Sequence, residues 1–110
     1  MERVLVILPA DAPQELAWPG AEVHRYRSPL DIPGILRGSA LPVILVRDRI
    51  PPEHSGAVAE AVRAHPADVI AVGSAPWDGA TPDPLAAACR GIVSGFGYGA
   101  VARLVALAAP

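Results

Sequence analysis

Three short runs of aliphatic and β-branched residues, Val4 to Leu8, Val43 to Val46 and Val69 to Val72, carry no polar alternation. A sheet wetted on one side alternates apolar and polar residues, whereas strands covered on both faces read as continuous apolar runs. These segments therefore predict buried parallel strands, which require helices on both sides of the sheet. Glu22 to Arg27 alternates more, with Val23 and Tyr26 read as inward and charges elsewhere, the pattern of an edge strand. Gly91 to Ser94 fits a fifth, short strand.

Helical patterns fill the gaps. Pro13 to Trp18 offers little more than one turn before Pro19-Gly20 stops it, and Leu30 to Arg37 carries a proline tolerable only near its first turn. Pro52 to Ala64 is the clearest helix, with Val58, Ala61, Val62 and His65 on one side and Pro66 at its end. Pro84 to Arg90 is short, and Ala100 to Ala109 closes the chain with Val101, Leu104, Val105 and Ala108 at helical spacing. Strands alternating with helices imply an α/β fold of three layers around a doubly wound, five-stranded parallel sheet. The expected strand order is the flavodoxin-like 2-1-3-4-5, and residues 1–110 are read as one domain.

Composition removes several functions. Hydrophobic residues make up 52% of the chain but aromatics only 5%, so Ala, Val, Leu and Ile must build the core. A net charge of -2 provides no basic footprint for nucleic acid or an anionic membrane, so neither is expected as a partner. The single cysteine, Cys89, excludes an internal disulfide and a cysteine metal site and reads as a small buried hydrophobe. No stretch approaches the roughly 18 apolar residues of a membrane span, and the cytoplasm is the expected location. Nine arginines and no lysine rule out Schiff-base catalysis and a Walker-type phosphate loop. His24, His54 and His65 lack ligand spacing, so no metal or other cofactor is expected.

In such a sheet, chemistry sits beyond the carboxyl ends of the strands. Pro9, Ala10 and Asp11 follow the first strand, Asp48 the third, Ser74 the fourth, and Ser94 ends the fifth. Asp48 is followed by Pro52 and Gly56. Strand 3 is led by Pro42, strand 4 runs Val69-Ile70-Ala71-Val72-Gly73 into Ser74-Ala75, and Gly91 and Phe96 flank strand 5. This pattern resembles the response-regulator receiver domain over nearly the whole chain. The resemblance implies that Asp48 corresponds to the phospho-acceptor and Ser74 to the switch hydroxyl. In that family an acidic pair after strand 1 helps to hold Mg²⁺, and a lysine after strand 5 contacts the phosphoryl group. Here the acidic pair falls on Leu8-Pro9 or Pro9-Ala10 and the lysine position near Ser94, which leaves a vestigial pocket of Asp11, Arg47 and Ser94. Arg47 would bring a guanidinium there, a weak substitute for the compact charge of lysine.

The resemblance thus implies a degenerate receiver: a regulatory, non-enzymatic module of two-component signalling that works through protein contacts. Gly95-Phe96-Gly97-Tyr98-Gly99 reads as a tight turn into the last helix, because no strand with an acidic residue follows to complete a dinucleotide fingerprint. Trp77-Asp78-Gly79 reads as a turn presenting an indole. The last helix has one charge, Arg103, and more apolar circumference than a single sheet-facing stripe requires. Val101, Leu104, Val105 and Leu107 are therefore expected to form a homodimer or partner interface. The alternative expectation is a small-molecule-binding protein or small enzyme with a metabolite at the strand ends, held by the glycine turn and Arg47.

Overall fold

The computed structural model describes residues 3–73, 84–94 and 98–108, with Ser94 and Ala108 described by backbone only. The strands are β1 (Val4–Pro9), β2 (Ala21–Tyr26), β3 (Val43–Val46), β4 (Val69–Gly73) and β5 (Gly91–Ser94). They form one 5-stranded sheet in the order β2-β1-β3-β4-β5, and every neighbouring pair is parallel. The doubly wound, flavodoxin-like α/β architecture expected from the apolar runs is the one observed.

Every residue of β1 and β3 is buried, as central strands covered on both faces must be. Odd-numbered residues Leu5, Ile7, Val43 and Leu45 join one core, and even-numbered residues Val4, Val6, Leu8, Ile44 and Val46 join the other. The first core is roofed by α1 (Ile32–Arg37), α2 (Pro52–Ala64) and α3 (Pro84–Ala88), through Ile32, Leu36, Val58, Val62 and Leu85. The second is roofed by α4 (Tyr98–Ala108), through Ala100, Val101 and Val105. β2 pairs only with β1, and its two inward residues serve opposite faces: Tyr26 enters the first core and Val23 packs on the second.

Local sequence explains the helix ends. Ser28 and Asp31 form a reciprocal capping box over a short 3-10 turn (Pro29–Asp31), so α1 starts at Ile32 and Pro33 falls in its first turn. The helix begins later than Leu30 because that cap consumes the residues before it. α2 opens on Pro52 and ends at His65, whose Nε2 lies 2.7 Å from the Leu41 carbonyl oxygen and ties the helix end to the chain entering β3.

One expected helix is not formed. Between β1 and β2, Pro13 to Trp18 runs as turns rather than as a helix. The five residues between Pro13 and Pro19 cannot repay the cost of helix nucleation. Instead the Arg25 guanidinium donates to the carbonyls of Ala12 and Pro13, each at 2.8 Å. Leu16 and Trp18 then lie half-buried on the second core. The segment closes with a turn in which Ala21 N–H donates to the Trp18 carbonyl (3.1 Å) around Pro19-Gly20, and Gly20 takes φ 84°, the position of a type II turn that favours glycine.

The apolar circumference of α4 also divides differently from expectation. Val101 and Val105 are buried against the sheet and Leu104 is half-buried against the same core. Val101 and Val105 are therefore taken up by the domain's own packing and corrected as interface residues; Leu104 keeps a partly exposed side chain, and Leu107, 83% exposed, faces outward.

Candidate functional site

The carboxyl edge is assembled by the sheet order. β1 ends at Pro9, β2 at Tyr26 and β3 at Val46, so the residues just beyond them share one rim. Asp48 lies there, exposed, two positions past β3. Gly73, the last residue of β4, lies against it: a Cβ at Gly73 would stand 3.7 Å from Asp48 Oδ1 and 3.4 Å from Arg47 Cγ. The missing side chain therefore lets Arg47 lie close over the end of β4. The Arg47 backbone also extends the pairing, donating to the Val72 carbonyl at 2.9 Å. Arg47 and Asp48 thus both lie against the end of β4. Ser74, Phe96 and Trp77 lie outside the described residues, and Ser94 is placed by its backbone at the end of β5.

Asp11 is engaged by an arginine from the neighbouring loop. Its Oδ2 accepts from Arg49 Nε at 3.0 Å and pairs with Arg49 Nη2 at 2.8 Å, joining the loops after β1 and β3. The carboxylate raises the Arg49 pKa, first by hydrogen bonding and then by charge, with a smaller contribution from Asp48. Among the described residues no three His, Cys, Asp or Glu side chains converge as a metal would need.

Two tyrosines complete the rim. Tyr26 donates its hydroxyl to the Val46 carbonyl at 2.7 Å, and burial raises its pKa far above the ordinary value, while the Arg49 backbone N–H acts in the opposite direction. Tyr98, at the start of α4, is raised by burial and then by the charges of Asp48 and Asp11. Pro9, Ala10, Asp11, Tyr26, Arg27 and Arg49 line an open pocket of about 260 Å³. Sequence reasoning placed Asp11 and Asp48 at this edge but missed Arg27, Arg49 and the two tyrosines. The available signal was the place of Tyr26 at the end of β2 and of Arg27 and Arg49 one and three residues past a strand end; Tyr98, at the start of α4, had none.

No helix among the described residues is long and apolar enough to cross a membrane. No protein-family model matches the chain, and no curated protein matches it.

Proposed function

We propose that the chain is a regulatory interaction domain, a degenerate relative of response-regulator receivers, in which contacts with a second copy rather than phosphotransfer carry the signal in the cytoplasm. The observation that carries this reading is Asp48 at the carboxyl end of β3 in a 2-1-3-4-5 sheet, with Pro52 opening α2 and Gly56 following within it. The phosphotransfer apparatus around it is depleted. The positions of the acidic pair carry Leu8 and Pro9, both buried, and Ala10; Asp11 is paired with Arg49. A hard cation needs several oxygen ligands, and the lysine that would neutralise a phosphoryl group is absent from the chain. The contact face is assigned to α4, where Leu107 is exposed and Arg103 is the only charged side chain.

Incubation with a small-molecule phosphodonor and Mg²⁺, followed by intact-mass measurement, tests the central point. The unmodified mass is expected throughout. A stoichiometric phosphoryl adduct lost on Asp48→Asn would show a competent receiver and overturn the reading.

A further inference from the structure

We propose that the pocket over the carboxyl end of β1, lined also from the end of β2 and from the loop after β3, binds a small oxyanion, held by Arg27 and Arg49 in competition with Asp11. This site stands or falls independently of the regulatory reading. Topology supplies the first reason. The chain leaves β1 for β2 on one side and returns as β3 on the other, so the sheet order reverses beside β1. In open parallel sheets the crevice outside the strand ends at that reversal is where ligands bind. Asp11 and Arg49 face each other across it.

Size and chemistry narrow the ligand. The pocket of about 260 Å³ lies below the roughly 300 Å³ at which pockets begin to enclose drug-sized molecules, so a small ion suits it better than a nucleotide. Its lining includes Arg27 and Arg49 with Asp11, and the charge of Asp48 also reaches Arg49. Tyr26 contributes its ring but not its hydroxyl as a donor, because that is committed to the Val46 carbonyl. Polar recognition therefore falls to Arg27 and Arg49. The Arg27 side chain makes no hydrogen bond or ion pair among the described residues. Arg49 uses Nε and Nη2 on a single oxygen of Asp11, which leaves Nη1 and its two hydrogens for another acceptor.

The Asp11–Arg49 pair is also easily exchanged. The Arg49 side chain is 67% and that of Asp11 58% exposed, and solvent-exposed pairs gain little over their hydrated partners. An oxyanion bridging Arg27 and Arg49 can displace Asp11 at little cost, which would loosen the link between the loops after β1 and β3. Phosphate, with up to two charges, matches the two cations better than a monocarboxylate does.

The intact chain is titrated with inorganic phosphate, and separately with acetate, at constant ionic strength held with sodium chloride. Arginine Nε–H and backbone amide resonances are followed by NMR. Saturable shifts at Arg27, Arg49 and residues 9–11 are expected, with dissociation constants on the order of millimolar. Arg27→Gln should weaken binding about tenfold, while Asp11→Asn should tighten it by roughly threefold or more, because a competing anion is removed. Both positions are exposed, so both variants should keep the wild-type circular dichroism spectrum. Tighter phosphate than acetate binding assigns a phosphate-type ligand, and the reverse order a carboxylate. Shifts that never saturate, or equal affinities for the wild type and both variants, would overturn the proposal.

Discussion

Pro9 and Tyr26 solve one hydrogen-bonding problem between them. Leu5 N–H donates to the Pro42 carbonyl at 2.8 Å, and stepping along both strands two residues at a time sets position 9 opposite the Val46 carbonyl. A proline there has no N–H to offer. The Tyr26 hydroxyl reaches from the edge strand and takes that role. Tyr26→Phe should therefore cost about 1–3 kcal/mol in urea denaturation, the range for leaving a buried acceptor unpaired. Adding Pro9→Ala to that variant should recover part of the loss; strictly additive effects would show that the hydroxyl does not stand in for the missing N–H. The same residue sets an alkaline limit. Its folded pKa lies above the unfolded value of about 10, so the folded state holds the proton more tightly. That contribution is complete below pH ~10 and is lost as pH rises from there towards the folded pKa. Chemical denaturation above pH ~10 should show a steeper decline in the wild type than in Tyr26→Phe, with Tyr98 contributing a residual slope in both.

At the scale of elements, α2 is the best-specified helix and still carries a correctable weakness. Gly56 lies inside it, and a Cβ there would meet nothing within 4 Å. Gly56→Ala should raise unfolding free energy by about 0.5–1 kcal/mol through reduced freedom of the unfolded chain. A loss on thermal or urea denaturation would mean that the space is needed by something other than the helix. Such elements were legible because their signal is local. Buried strands read as apolar runs, α2 shows its inward stripe, and Pro66 marks where it stops. The β1–β2 connection was not legible, since what replaces its helix is the long-range donation of Arg25 to Ala12 and Pro13. The site divides the same way. Asp48 is placed by where the apolar run of β3 stops, whereas the Asp11–Arg49 pair joins residues 38 apart and leaves no periodic trace. On α4, helical spacing identified a broad apolar surface but not how much of it the sheet would take.

Among the described residues the sheet is covered unequally, with three helices on one face and α4 with the irregular β1–β2 connection as a strap on the other. The surface of α4 is where association is proposed, and Leu107 decides it. Covering this side chain in an interface would contribute on the order of 1.5–3 kcal/mol per subunit before association costs. Sedimentation equilibrium at high protein concentration is expected to give a dimer, and Leu107→Glu a monomer with an unchanged circular dichroism spectrum. A wild type that remains monomeric would remove self-association from the proposed function. The strap itself has an optical consequence. It carries Trp18, one of two tryptophans in the chain, half-buried against the core that α4 roofs. With Trp77 replaced by Phe, the remaining indole would be an intrinsic fluorophore confined to that layer, and its emission would report on the thinly covered face separately from the helices on the other side.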